Sequence, residues 1–297
     1  MTMRFRVIAA FLSCFVVHQC LHAQKNIYQF SHLDITNGLS NNRVSCIFKD
    51  ANGFMWFGTT SGLNRYDGYK FKIFKHEPND HNSLIDNNIL HIDEGPDKSM
   101  WLFTHSGVSV YDSNTESFSD DLPNELSHYR VPAGQLNAIR KDHNGNFWFL
   151  TDKGIYLYKT QLKTTYSYNM SATSPIVLHS NNVTDVVDGG DRLWLMYNDG
   201  VIDEVNENAN HLLVRMTRLN TTTGGKQEVY SAVLGADNKL WIYAAGTSEG
   251  VYCYDIVTRA LSHYGKDTPE INLNTNVING IVQGNDDGAT PCLSNLL

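Results

Sequence analysis

Past its first two dozen residues the sequence has no apolar run long enough to cross a bilayer as a helix. Basic residues are also in short supply: 23 Lys and Arg face 31 Asp and Glu, giving a net charge of −8. No basic stripe offsets that deficit, which argues against nucleic acid and anionic lipid as partners. Cysteine is sparse. Cys14 and Cys20 fall near the N-terminus, and Cys46, Cys253 and Cys292 are left in an odd number whose spacing fits no metal motif. Buried thiols are expected, since a Cys46–Cys253 bridge would need distant parts of the chain to meet. Enzyme fingerprints are missing as well. There is no Gly-x-Ser-x-Gly, His-Glu-x-x-His, Walker or dinucleotide loop. His76-Glu77, Asp120-Asp121 and Asp286-Asp287-Gly288 read as loops and a turn, so no catalytic residue, metal or cofactor is expected.

What the sequence does have is a period. Its five tryptophans, Trp56, Trp101, Trp148, Trp194 and Trp241, are spaced by 45, 47, 46 and 47 residues. Gly62, Gly107, Gly154 and Gly200 each follow their Trp by six residues, and Gly250 follows by nine. Upstream of each Trp is a short apolar run, such as Val44–Phe48 or Leu136–Ile139. A polar turn comes next, then the Trp strand, a turn at the phased Gly, a strand ending in a pair such as Tyr66-Asp67, and an aromatic fourth run. Four short strands per unit of this length make the blade of a β-propeller. The fold class is all-β, with about five and a half four-stranded blades in an incomplete, open ring. The phased Gly is expected to supply a positive φ, and the Trp to pack between neighbouring blades.

Residues 1–23 read as a secretory signal peptide. Arg4 and Arg6 open it, Val7–Val17 is apolar, and Leu21-His22-Ala23 precedes a cut at Gln24. The mature chain is expected to be exported, with no membrane span. Residues 24–288 form the propeller segment, in which Tyr28–Ile35 is an orphan strand. The sixth unit begins in phase at Asn276–Val282, but Pro291 stands where its Trp is due. Proline does not fit a central strand. Residues 289–297 are therefore expected to be an aberrant tail on a truncated chain, leaving unpaired edges.

The run from Asn37 to Phe71 resembles the two-component regulator propeller repeat. The residues that carry the likeness are Asn37-Gly38-Leu39-Ser40, Asp50-x-x-Gly53-x-x-Trp56-x-Gly58-Thr59 and Ser61-Gly62-Leu63-Asn64-Arg65-Tyr66-Asp67-Gly68. Later units drift, and Trp194-Leu195-Met196-Tyr197 lacks the Gly-Thr. The resemblance implies the exported, periplasmic sensor region of a Bacteroidetes hybrid two-component system, whose relatives are anchored in the inner membrane. It implies an oligosaccharide ligand, and further blades and sensor domains as partners. No phospho-acceptor box, ATP-binding Gly-rich segment or receiver aspartate is present, so this segment is expected to be no enzyme. A secreted propeller enzyme acting on carbohydrate and a structural interaction module that forms homodimers are the alternatives.

Propeller ligands sit where the loops before the innermost strands meet the loops after the second strands. The first set includes Asn42, Arg43, Asn87, Asn88, Gln135 and Asn182. The second includes His105, Ser106, Asp152, Asn198 and Asp199. Amides, Arg and hydroxyls suit the OH groups of a sugar, and Tyr197 is an aromatic for stacking. The same Asn residues also suit turn capping. Cys46, His91, Ala138, Asp185, Ser231 and Asn279 share one column of the innermost strand, and Arg140 lies two residues further on. The ligand-binding candidates are thus Asn42, Arg43, His91, His105, Arg140, Asn182, Asp185 and Tyr197, with polar lining of a wet channel as the other role for the column.

Overall fold

A computed structural model describes residues 32–206, 210–235, 237–269, 273, 275–282 and 292–294. The chain divides after Asp34 into two compact units, and the second holds every described strand. The signal peptide at 1–23 lies outside the described residues, as does the first half of the expected orphan strand; its described half, 32–35, is not strand, and Ile35 begins a 3-10 turn ending at Asn37.

Five antiparallel sheets follow, each made of four strands consecutive in sequence. The first blade is β1 (Val44–Lys49), β2 (Met55–Thr59), β3 (Gly62–Tyr66) and β4 (Phe71–Phe74). The second is β5 (Ile89–Glu94), β6 (Met100–Thr104), β7 (Val108–Asp112) and β8 (Ser117–Ser119). The third is β9 (Leu136–Lys141), β10 (Phe147–Thr151), β11 (Gly154–Lys159) and β12 (Thr164–Tyr168). The fourth is β13 (Val183–Asp188), β14 (Arg192–Tyr197), β15 (Ile202–Asn206) and β16 (Leu212–Met216). The fifth is β17 (Tyr230–Leu234), β18 (Lys239–Ala244), β19 (Val251–Asp255) and β20 (Leu261–Tyr264). A sixth sheet has two strands, β21 (Gly280–Val282) and β22 (Cys292–Ser294), in antiparallel register with Val282 opposite Cys292. The innermost strands β1, β5, β9, β13, β17 and β21 are neighbours in that order, and among the described residues the ring is not closed.

Each Trp is buried, and each packs between its own blade and the next. Trp56 meets Tyr111 of the second blade edge-on at 5.0 Å, and Trp101 meets Phe149 of the third at 6.0 Å. Trp148 shares a cluster with Val186 and Leu195, Trp194 with Leu240 and Ile242, and Trp241 with Ile278 and Ile281. An aromatic side chain of this size removes about 150–250 Å² from water, about 4–6 kcal/mol at ~25 cal/mol per Å². No single sheet could bury such a ring alone. The blades therefore hold one another's order.

The Gly-Thr part of the repeat has a physical reason. Thr59, Thr104 and Thr151 close the β2–β3, β6–β7 and β10–β11 hairpins by donating Oγ1 to the carbonyls of Gly62, Gly107 and Gly154 at 2.7–2.9 Å. The phased glycines have the expected positive φ, from 79° at Gly250 to 150° at Gly107. Gly154 is needed twice over, because a Cβ there would also run into the Tyr168 carbonyl. Where Tyr197 replaces the Thr, the hairpin is one residue longer: Leu195 pairs with Asp203, whereas Phe57 pairs with Asn64.

Two features depart from strands and loops alone. Short helices at Leu122–His128 and Arg218–Thr223 sit in the connections between blades. Asp121 caps the first by accepting from Asn124 N at 3.2 Å, and Gly224, with φ 67°, ends the second. Their buried Leu126 and Leu219 fill the seams beside Trp101 and Trp194. The thiols of Cys46 and Cys253 are free, and burial pushes each up to about 11.

Candidate functional site

The innermost strands and the loops at one end of them enclose a channel of about 1270 Å³. The loops before the first strands are positioned from the third strands in the first two blades and from the second strand in the fourth. Ser40 N donates to Asn64 Oδ1 at 2.8 Å, Ile85 N to Ser109 Oγ at 3.0 Å and His179 N to the Tyr197 hydroxyl at 3.2 Å. Each of these donors lies four residues before its innermost strand, so the loops reach the axis in similar phase.

Midway along the wall, Arg140 of β9 lies between Asp93 of β5 and Asp185 of β13. Its Nε donates to Asp185 Oδ1 at 2.6 Å, and its Nη1 to both Asp93 oxygens at 3.3 Å and to the Ile139 carbonyl at 3.0 Å. Asp93 Oδ2 also accepts from Ile139 N at 2.7 Å. Asp185, only 5% exposed, accepts from Val186 N at 3.0 Å and, in the fifth blade, from Ala232 N at 3.2 Å. The cluster thereby ties the second to the fifth blade. Burial opposes the Arg140 charge, but the Asp185 and Asp93 carboxylates more than offset it, so its pKa is raised.

Beside this cluster the His91 imidazole lies flat on Phe103, with ring centroids 4.1 Å apart and planes 12° from parallel. Its Nε2 is 3.7 Å from Asp93 Oδ2. Burial holds His91 below the ordinary imidazole range, with Asp93 pulling against that effect and Arg140 reinforcing it. The repeat shows how the site was made. Opposite Cys46 in the first blade is Gly58, where a Cβ would strike the thiol; opposite His91 in the second is Phe103.

Of the residues expected from sequence, Arg43, His91, His105, Arg140 and Asn182 line the channel, together with Gln135 and Asn198. From the shared column, Ala138, Ser231 and Asn279 line it too. Asn42 does not. Its Oδ1 accepts from Ile35 N at 2.9 Å and shapes the turn before β1, which is the capping role open to it from the sequence. Asp185 is placed behind Arg140 as its counter-charge. Tyr197 cannot stack on a sugar: it is 0% exposed, and its hydroxyl donates to the buried Asp203 at 2.8 Å. Burial, with the Asp203 charge adding to it, raises the Tyr197 pKa. Asp93 and Phe103 were not foreseen. Their signal was available, because Asp93 and Arg140 occupy the same place in consecutive units and carry opposite charge.

Residues 38–61 match the model of the two component regulator propeller family. That match spans the β1 and β2 strands of the first blade. Over 64 residues, 22% of this chain and 5% of the relative, it is 39% identical to Histidine kinase P4 of Formosa agariphila. Its fold is similar to the crystallised extracellular domain of a hybrid two component system of B. thetaiotaomicron, with a TM-score of 0.59 and 23% identity over 86% of this chain and 33% of that one. It is also similar to PorZ, a surface component of the type-IX secretion system of Porphyromonas gingivalis, with a TM-score of 0.53 and 14% identity over 82% and 36% of the two chains. At these identities the likeness is one of fold. The chain spans about a third of the length of those solved structures.

Proposed function

We propose that this segment is the ligand-sensing part of an exported, periplasmic region of a hybrid two-component sensor, and that it binds an oligosaccharide without turning it over. The observation that carries this reading is the channel. Amide, imidazole and guanidinium groups from successive blades converge on one space large enough for several sugar rings. Binding there would bear on several blades at once, because the Asp93–Arg140–Asp185 cluster joins them. Phosphotransfer would belong to other domains of such a sensor.

The test is to screen the full chain by calorimetry and thermal unfolding against a panel of defined oligosaccharides. A binder at a hundred times its Kd stabilises by about 2.7 kcal/mol, a rise of about 5–10 °C for a domain of this size. The sugar should be recovered intact by chromatography. A flat response across the panel, or shortened products, would refute the reading. The export part is checked separately: mass spectrometry of the chain recovered from the periplasm should find Gln24 at its N-terminus.

A further inference from the structure

A guanidinium carries five N–H donors in one rigid plane. In Arg140, Nε and Nη1 are engaged by Asp185, Asp93 and the Ile139 carbonyl, whereas Nη2 enters none of the described hydrogen bonds. The side chain is 31% exposed and lines the channel. Arg140 is thus held on two sides by neighbouring blades, with its remaining donors left to whatever occupies the channel. A donor fixed in advance costs little ordering when a ligand arrives.

The charge of this cluster decides what that ligand can be. Two carboxylates face one guanidinium, so the wall has a surplus negative charge, and His91 beside it is kept neutral at pH 7 by its burial. A carboxylate or sulfate approaching Nη2 would find the positive charge already matched and Asp93 close by. A hydroxyl or ring oxygen meets no such repulsion. Arg43 at the mouth is exposed to solvent, where salt screens its reach. The apolar contact is supplied next door: Phe103 covers one face of the His91 ring, and the side chain of His91 remains 40% exposed. A flat neutral ring beside a fixed fork of donors suits the C–H face and edge oxygens of a sugar.

Resting on the oligosaccharide reading, we propose that this wall selects neutral glycans. A sugar ring seats on the His91 imidazole, an oxygen of it accepts from Arg140 Nη2, and Asp93 and Asp185 turn acidic sugars away.

The experiment uses the full chain and two sets of probes: neutral malto-, cello-, xylo- and manno-hexaose, and acidic trigalacturonate and chondroitin sulfate hexasaccharide. Calorimetry compares the wild type with Arg140→Lys, which keeps the charge but loses the fork, and with His91→Ala, which leaves the ion pairs in place. The expected result is a neutral binder that weakens by about tenfold or more in Arg140→Lys. The same binder should weaken several-fold in His91→Ala, and Asp93→Asn should improve the acidic probes relative to the neutral ones. Tryptophan fluorescence checks folding, and His91→Ala carries the comparison if Arg140→Lys unfolds. An acidic probe that binds as tightly as any neutral one, or a neutral binder indifferent to both variants, overturns this proposal and leaves the oligosaccharide reading standing. Silence from both sets overturns both.

Discussion

Replacing Asn146 with Phe should make the protein more stable, although it removes a hydrogen bond. The turns before β2 and β10 are built alike. Asp50 Oδ1 accepts from Asn52 N and Phe54 N at 2.9 and 3.0 Å, and Asp142 Oδ1 accepts from Asn144 N and Asn146 N at 3.0 and 2.8 Å. Only the second carboxylate oxygen is used differently. In the first blade it accepts from the Trp56 indole at 2.8 Å; in the third it accepts from the Asn146 side chain at 3.0 Å, and the buried Trp148 indole N–H has no partner among the described residues. Asn146 is half-buried, so its amide loses little when returned to water, whereas a buried donor left unmade costs about 1–3 kcal/mol. Asn146→Phe, which copies Phe54, frees Asp142 Oδ2 for Trp148. The net gain is about 1 kcal/mol, a rise in Tm of about 2–4 °C. Asn146→Ala frees the oxygen without adding a ring and separates hydrogen bonding from packing. Calorimetry gives the Tm, and the indole 15N–1H resonance of Trp148 reports the bond directly. An unchanged or lowered Tm with an indole resonance that does not move would refute the reasoning.

Other perturbations follow from the same geometry. Gly154→Ala forces a side chain into positive φ and against the Tyr168 carbonyl, and should cost about 3 kcal/mol by denaturant unfolding. Gly53→Ala has positive φ but open space around it, and should cost about 1–2 kcal/mol. The His91 imidazole should titrate below 6.5 by NMR. The unfolded chain then takes up its proton first, so the His91 contribution to stability is complete above 6.5 and is lost as pH falls from there toward the folded value. His91→Gln should flatten that part of the Tm–pH curve. Arg215 makes two bonds to Asp203, at 2.7 and 2.8 Å, and the Asp203 side chain is 0% exposed. Arg215→Met should cost about 3 kcal/mol by leaving that buried carboxylate without its counter-charge.

The architecture was legible because its determinants are local and repeated. Phased Gly and Thr act within one hairpin, and the Trp, although it packs across a seam, recurs at a near-constant interval along the chain. The site was legible only in part, because its chemistry lies across seams. Arg140 and Asp185 stood out as charged residues near the axis, but their meaning depends on Asp93, 47 residues before Arg140, packing against the same wall. Tyr197 was misread for a related reason. The loss of Gly-Thr after Trp194 was visible in the sequence, yet it lengthened the hairpin and sent the ring inward to the buried Asp203, away from the axis. Asn42 shows the limit of composition, since an amide that caps a turn and one that grips a ligand look the same in sequence.

The links across the seams have a consequence for how such chains change. Ser45 reaches Ile89, Arg140 reaches Asp185, His143 reaches Asp188 and Thr184 reaches Tyr230, each link joining one module to the next. A duplication or deletion of a whole module rejoins surfaces that already know how to meet. An insertion inside a strand turns the residues beyond it to the wrong face, whereas a hairpin loop absorbs one, as the longer β14–β15 turn does. Genomes can therefore edit a protein of this kind by counting, and new specificity can arise by moving a finished wall to a different place in the ring.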